Sequence, residues 1–141
     1  MENLELAQAC ANQMVEKDRA SSALGMAIEV TQPGTAEVQM TVTDNMVNGF
    51  DICHGGYLFT LADSAFAFAC NAYNDVTVAA SGSIDYLQPV KQGDQLTAIA
   101  RETHRGKRYG VYDVEVRNQH HVLVAVFRGR SAALGRPLLP D

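Results

Sequence analysis

Several features that mark common classes of protein are missing from this chain of 141 residues. Its three cysteines, Cys10, Cys53 and Cys70, form neither an even set nor a metal-type spacing, which argues against a disulfide framework and fits a reducing, cytoplasmic setting. The four histidines also lack the spacing of metal ligands, so no metal site is expected. The formal net charge of −5 argues against a general nucleic-acid binder.

Long hydrophobic runs of the kind that enter membranes are absent as well. The N-terminus is acidic and has no apolar core of signal-peptide length. The longest apolar segment, residues 57–73, contains Asp63 and Asn71 and is too short to read as a membrane span. We therefore expect no association with a membrane.

Hydrophobic residues are plentiful, at 47% of the chain, so a protein of this length can bury a real core. We expect one domain over residues 1–141, because no repeat, linker or low-complexity segment interrupts it. Hydrophobic spacing predicts a helix, two strands, one long helix and four more strands. The predicted ranges are helix 3–19, strands 24–31 and 36–42, a helix from 55 or 56 to about 73, strands 76–86, 95–104, 109–118 and 122–131, and an irregular tail 132–141.

The long central helix is apolar on nearly every side, which is typical of a helix that is buried all round. Short turns between the last four strands favour antiparallel pairing. The helix must then be covered by the sheet, by a second subunit, or by both.

The step His54-Gly55-Gly56 immediately precedes this helix. Glycines allow close backbone approach to a ligand, and helix N-termini carry partial positive charge, so the step could polarise a thioester or ester carbonyl. The alternative is a simple helix start in which the glycines serve the turn.

Asp63 is the one carboxylate inside the apolar helix. It could act as a base in acyl hydrolysis, or it could be a structural carboxylate hydrogen-bonded to its neighbours. Nine helical residues would separate Asp63 from His54 by roughly 900° of rotation and ~13 Å of rise, so the two would not share a site within one chain. If both serve the chemistry, they come from different subunits, which implies an obligate dimer.

Other residues near these two are weaker candidates. Asn48 could orient a water or a side chain near the helix start, although Asn-Gly is also a common turn pair. Cys53-His54 could suggest a cysteine nucleophile, but adjacent residues rarely face each other and no orienting partner is identifiable. Arg105, Lys107 and Arg108 form a cationic spot that could hold the phosphates of a nucleotide-like ligand, or simply an ordinary charged hairpin turn.

Longer segments resemble a known family. Asn48, His54-Gly55-Gly56 and the run from Leu61 to Ala67 resemble the core motif of the hotdog-fold thioesterases. Later segments are similar to the phenylacetic-acid-degradation (PaaI) branch of that family: Ile84 to Pro89, Gly93-Asp94, Gly106-Lys107, Gly110 to Val114 and Phe127 to Gly129.

The resemblance implies an α+β hotdog fold, in which a curved antiparallel sheet wraps around the long helix. It also implies dimers, commonly paired into homotetramers, with active sites at the dimer interface. Asp63 would be general base or nucleophile, and the Gly55 N–H of the facing subunit, at the Gly55-Gly56 helix start, would polarise the carbonyl. Asn48 and His54 would shape the site near the carbonyl and the attacking water, and Lys107 with its neighbours would lie near the phosphates of coenzyme A.

The function expected from these residues is hydrolysis of aryl-acyl-CoA thioesters, such as phenylacetyl-CoA or a ring-hydroxylated relative, to the free acid and coenzyme A. No cofactor is implied, because this hydrolysis needs only water, a base and an oxyanion site. The alternatives are a hotdog enoyl-CoA hydratase or dehydratase and a non-catalytic acyl-CoA-binding module. The roles of Ser81 and Ser83, which lie near the place where some family members carry a Ser or Thr helper, stay open.

Overall fold

The computed structural model describes residues 1–141 as helices packed on one antiparallel sheet. The helices are α1 (Asn3–Lys17), α2 (Arg19–Ala23) and α3 (Gly55–Cys70), with a short 3-10 helix at Asp44–Met46. The strands are β1 (Ala27–Gln32), β2 (Thr35–Thr41), β3 (Thr77–Tyr86), β4 (Gln95–Arg105), β5 (Tyr109–Arg117) and β6 (Leu123–Ala133). Their order in the sheet is β1-β2-β4-β5-β6-β3, and every neighbouring pair is antiparallel.

The N-terminal helix is shorter than the predicted range 3–19. α1 ends at Lys17, and Asp18 begins a second helix by accepting hydrogen bonds from the N–H and the hydroxyl of Ser21, at 2.9 and 2.7 Å. Aspartate favours this position because its carboxylate satisfies a free N–H of the first helical turn. Leu24 caps the end of the second helix and Gly25 lies in the turn after it, so β1 begins only at Ala27 instead of at residue 24.

The central helix α3 contacts all six strands. The strands present small and branched apolar side chains towards it at alternate positions, as the two-residue period of the sequence predicts. Fully buried examples are Val38 in β2, Ala98 in β4 and Val116 in β5. The predicted α+β arrangement of an antiparallel sheet around one long apolar helix is confirmed.

The buried surface of α3 does not extend all the way round. Its buried residues include Leu58, Leu61 and Ala65, whereas Thr60 and Asp63 lie on a stripe that the sheet leaves partly open. The chain alone therefore covers only one side of a helix whose sequence predicts complete burial.

The C-terminal end of α3 is fixed by Asn71. The helix stops at Cys70 instead of about residue 73, because the Asn71 amide Nδ2 donates to the Ala67 and Thr77 carbonyls at 2.9 and 2.8 Å. Its Oδ1 accepts the Thr77 N–H at 2.8 Å. One buried side chain thus joins the end of α3 to the start of β3.

Strand β3 forms one edge of the sheet, since it pairs only with β6. Residues 78–83 are exposed, so the outer row of peptide groups is free to pair with another strand. At the far end of the chain, β6 continues to Ala133, two residues into the predicted tail 132–141. No helix is both long and apolar enough to cross a membrane.

Candidate active site

The start of α3 is capped by His54. Its backbone is extended, and its Nδ1 accepts the Gly56 N–H at 2.9 Å. This bond satisfies one of the donors that a helix start leaves free. Because Nδ1 accepts this hydrogen bond, neutral His54 must carry its own proton on Nε2, and the ring is exposed.

Gly55 offers a free donor at the same helix start. Its N–H donates to no acceptor in the chain, whereas the next N–H, that of Gly56, is already taken by His54. A free N–H at a helix N-terminus is favourable for a developing negative charge. A side chain at position 55 would displace Tyr86, because a Cβ there would lie 2.8 Å from Cζ of that ring.

Asn48 shapes the loop that leads into α3. Its Oδ1 accepts the N–H groups of Phe50 and Ile52 at 2.9 and 3.3 Å, which leaves only Nδ2 for other partners. This geometry matches the turn alternative. The predicted role of Asn48 near the carbonyl and water stays a prediction.

Asp63 is half-buried near the middle of α3, and its carboxylate makes no hydrogen bond or ion pair within the chain. The alternative of a structural carboxylate bonded to its neighbours is therefore not what the structure contains. Burial raises the pKa of Asp63 above its ordinary 3.8. A carboxylate that is partly desolvated and unpartnered is a better base than one that is solvated or paired.

Gly55 and Asp63 are far apart within one chain. The eight helical residues that separate them correspond to about 12 Å along the axis of α3. A single thioester carbonyl cannot contact both groups of the same chain. Because α3 is one continuous helix over Gly55–Cys70, the two groups stay apart within a single chain.

The predicted cationic spot is the turn between β4 and β5, where Arg105, Lys107 and Arg108 are all exposed. The Gly106 N–H donates to the Tyr109 carbonyl at 2.8 Å and closes the turn. A small cleft beside the turn is lined by Cys70, so the basic residues lie near the C-terminal end of α3. Gly55 and Gly56 lie at the opposite end.

Arg105 is held by an aromatic ring. Its guanidinium carbon lies 3.6 Å from the centroid of Tyr73, a cation–π geometry. The Tyr73 hydroxyl donates to Oε1 of Glu102 at 2.7 Å, and the Tyr112 hydroxyl donates to the same oxygen at 2.8 Å. Burial and the adjacent Glu102 carboxylate raise the pKa of Tyr73 to about 12, so the phenol stays a donor.

Cys53 does not act as a nucleophile. It is buried, its thiol donates to the His54 carbonyl at 3.6 Å, and burial raises its pKa to about 11. A thiol with such a pKa is protonated near neutral pH, and only the thiolate attacks.

Ser81 and Ser83 lie on the exposed edge strand β3. The residue between them, Gly82, faces Phe127 and Phe59 of the core, since a Cβ on it would lie 3.0 Å from Phe127 and 3.4 Å from Phe59. Because side chains alternate along a strand, both serines face away from that core. Neither serine hydroxyl forms a hydrogen bond within the chain, and no helper role follows from their placement.

Four aromatic residues in α3 and in the loop before it could contact an acyl group, and they lie in different environments. Phe66 is 1% exposed and packs in the core, and Phe59 packs edge-on against Phe127 at 5.3 Å. Phe50, by contrast, is 86% exposed. Tyr57 lines an open depression of about 450 Å³ beside His54, together with Asn45, Met46, Val47, Gly56 and Thr60.

Known proteins are similar to this chain in sequence and in fold. A sequence profile of the thioesterase superfamily matches residues 50–125. The acyl-coenzyme A thioesterase PaaI of Escherichia coli K12 is 50% identical over 125 residues, which cover 89% of each chain. The chain belongs to the thioesterase superfamily.

Solved structures also match this chain. The structure of the E. coli PaaI protein from the phenylacetic acid degradation operon matches with a TM-score of 0.94 and 46% identity, over 96% of this chain and 99% of that one. A hypothetical thioesterase from Streptococcus pneumoniae TIGR4, solved with coenzyme A, matches with a TM-score of 0.75 and 29% identity, over 79% and 90% of the two chains. The predicted hotdog fold, PaaI-type family and enzyme class of thioester hydrolase are confirmed.

One residue of this thioesterase site was not predicted from the sequence. Tyr86 ends β3 and reaches the start of α3, where its hydroxyl donates to the Gly55 carbonyl at 3.0 Å. It lies inside the segment Ile84 to Pro89 that resembles the PaaI branch. Spacing along the chain, however, contains no signal that places Tyr86 against a residue 31 positions earlier.

Proposed function

We propose that this thioesterase hydrolyses aryl-acyl-CoA thioesters, phenylacetyl-CoA or ring-hydroxylated phenylacetyl-CoA, to the free acid and coenzyme A, in phenylacetate or aromatic degradation. The observation that carries the proposal is the half-buried, unpartnered carboxylate of Asp63 in a chain so similar to an acyl-coenzyme A thioesterase. The similar E. coli protein, an acyl-coenzyme A thioesterase from the phenylacetic acid degradation operon, supports the aromatic acyl group.

The chemistry follows from a base and a free donor. Asp63 accepts a proton from water as the water oxygen bonds to the thioester carbonyl carbon, and the carbonyl oxygen gains negative charge beside the Gly55 N–H. The C–S bond then breaks, and coenzyme A leaves as the thiolate, which takes up the proton. Attack by the carboxylate itself would give an anhydride that water cleaves, with the same products.

We further propose that the site forms across a dimer of β3 edges. Gly55 lies beside Tyr86 at one end of β3, whereas the basic turn lies near the C-terminal end of α3, where β3 begins. Antiparallel pairing of two β3 strands brings the Tyr86 end of one beside the Thr77 end of the other. Gly55 of one subunit then approaches the helix of its partner, with Asp63, Arg105, Lys107 and Arg108 supplied by that partner.

Exposed apolar side chains support this interface. Val78 and Tyr86 of β3 and Leu87 just beyond it are 45%, 52% and 46% exposed, and they follow the free edge of the sheet. Two such dimers would pair into the homotetramer that the resemblance implies. The enzyme would act in the cytoplasm, where free thiols such as the three cysteines of this chain persist.

Turnover by the Asp63→Asn variant tests the chemistry. Substrates are phenylacetyl-CoA, 3- and 4-hydroxyphenylacetyl-CoA, benzoyl-CoA and straight-chain acyl-CoAs, with a 2-enoyl-CoA to detect hydration. We expect the aryl-acetyl substrates to be hydrolysed fastest and the variant to lose about 10²- to 10⁴-fold in kcat with an unchanged circular dichroism spectrum. Wild-type turnover by the variant would sink the mechanism, and faster hydration than hydrolysis would favour a hydratase.

Mixing two inactive variants tests the assembly. Asp63→Asn and Gly55→Val subunits are unfolded together and refolded, so that half of the dimers are hybrids. In a shared site, each hybrid has one site with both changes and one intact site, and about a quarter of wild-type activity returns. If each chain held a complete site, mixing would restore nothing, because every subunit carries a defect.

A further inference from the structure

Tyr86 makes an unusually close contact with the start of α3. Its hydroxyl donates to the Gly55 carbonyl at 3.0 Å, and its ring lies over the Gly55 Cα, where an added Cβ would be 2.8 Å from Cζ. A half-exposed phenol could equally bond water. Here it bonds the backbone of the residue that carries the free N–H.

The same peptide group continues the chain of hydrogen bonds. The peptide that joins Gly55 to Gly56 accepts from Tyr86 at its oxygen and donates to His54 Nδ1 from its N–H, at 2.9 Å. Hydrogen bonds at both ends of one peptide polarise each other and fix its plane. A phenol, a peptide and an imidazole are therefore linked in a row.

These linked hydrogen bonds determine the tautomer and the orientation of the His54 ring. Nδ1 is committed to the Gly56 N–H, so the proton stays on Nε2, the atom at the outer side of the ring. The ring also packs edge-on to Tyr57, with centroids 6.3 Å apart. His54 thus offers an N–H donor of fixed tautomer beside the free N–H of Gly55.

We propose that Tyr86 is a positioning residue for the thioester carbonyl: through the Gly55–Gly56 peptide it holds the His54 ring, so that its Nε2–H keeps one orientation beside the Gly55 N–H. The inference rests on the proposed function, in which the Gly55 N–H stabilises the oxyanion. It adds a residue from β3 that acts without touching substrate. The hydroxyl is the functional group, because the ring alone supplies only packing.

A double-mutant cycle tests the coupling. The variants are Tyr86→Phe, which keeps the ring, His54→Ser, which keeps an N-cap oxygen, and the pair. We expect Tyr86→Phe to lower kcat about 10-fold with KM within about 2-fold, and to have no further effect in the His54→Ser background. Tyr109→Phe is the matched control, since its exposed hydroxyl has no hydrogen-bond partner and its removal leaves kcat unchanged. An unchanged kcat for Tyr86→Phe, or a full additional loss in the double variant, overturns the proposal.

The tautomer of His54 can be measured without turnover, so the positioning role of Tyr86 can be tested separately from the proposed function. In ¹⁵N-labelled protein, two-bond couplings of the four histidines identify the tautomer of each ring, with His54→Ser assigning the signal. We expect the Nε2–H tautomer for wild-type His54 and a mixture of tautomers in Tyr86→Phe. An Nδ1–H tautomer in the wild type, or the same tautomer ratio in both proteins, contradicts the positioning role. If the expected spectra came with no thioesterase activity on any acyl-CoA, only the proposed function would fail.

Discussion

The Gly55→Ala substitution puts one methyl group into the tightest part of the site. Its Cβ would lie 2.8 Å from Cζ and 2.9 Å from Oη of Tyr86. Carbon atoms in ordinary contact are about 3.5–4.0 Å apart, so the ring must retreat by about 1 Å. That movement breaks the hydrogen bond between the Tyr86 hydroxyl and the Gly55 carbonyl.

Two effects on stability oppose each other in this variant. Displacing a neighbour by overpacking costs about 1–3 kcal/mol, and the lower end applies to the single chain, in which Tyr86 is 52% exposed. Replacing glycine by alanine within a helix stabilises the folded state by up to about 1 kcal/mol. We therefore expect the free energy of unfolding to change by about 1 kcal/mol or less.

The effect on turnover is expected to be much larger. The carbonyl must reach the Gly55 N–H past the new methyl group and the displaced ring, and a misplacement of about 1 Å costs about 10²-fold in rate. The assay compares kcat on phenylacetyl-CoA with the free energy of unfolding in urea. The matched control is Gly49→Ala in the preceding loop, where an added Cβ meets nothing within 4 Å. If Gly55→Ala retained the turnover of Gly49→Ala, the assignment of Gly55 to the oxyanion site would be refuted.

Three further predictions concern the helix and its surroundings. Burial raises the pKa of Asp63, so the folded state disfavours the ionised form. Asp63→Asn should therefore be more stable than wild type at pH 7, by a margin that shrinks as the pH falls through that pKa. Urea unfolding at pH 7 and at a pH below that pKa checks the sign, and a lower stability of the variant at pH 7 would contradict it. Asn71→Ala loses three hydrogen bonds of a buried side chain and should lower the free energy of unfolding by about 2–4 kcal/mol, measured by thermal unfolding, against no change for exposed Asn45→Ala. Tyr73→Leu removes the ring beneath Arg105 and should raise KM about 3-fold for phenylacetyl-CoA but not for phenylacetyl-N-acetylcysteamine, which lacks the nucleotide. Equal changes in KM for both substrates would show that Arg105 does not bind the phosphates.

Local patterns were enough to predict most of the elements. The alternation along β2 and β5 predicts half-buried strands, and both strands form within one or two residues of their predicted ends. The boundaries differ where a single side chain overrides the pattern. Asp18 starts a new helix by bonding Ser21, and Asn71 ends α3 by bonding Thr77, and neither bond has a signature in hydrophobic spacing.

The site divides in the same way between local and distant contributions. The sequence by itself determined the free N–H of Gly55 and the carboxylate of Asp63, because both depend on helix geometry within a few residues. It also determined their separation, since rise and rotation per residue are fixed in a helix.

Only the tertiary structure decided that Asp63 has no partner, that Tyr86 closes over Gly55, and that the basic turn lies at the other end of α3. All three depend on residues that are distant in the chain. The pairing of β3 with β6 and the packing of α3 on the sheet bring those residues together. Such contacts depend on which strands become neighbours, and no local periodicity encodes that order.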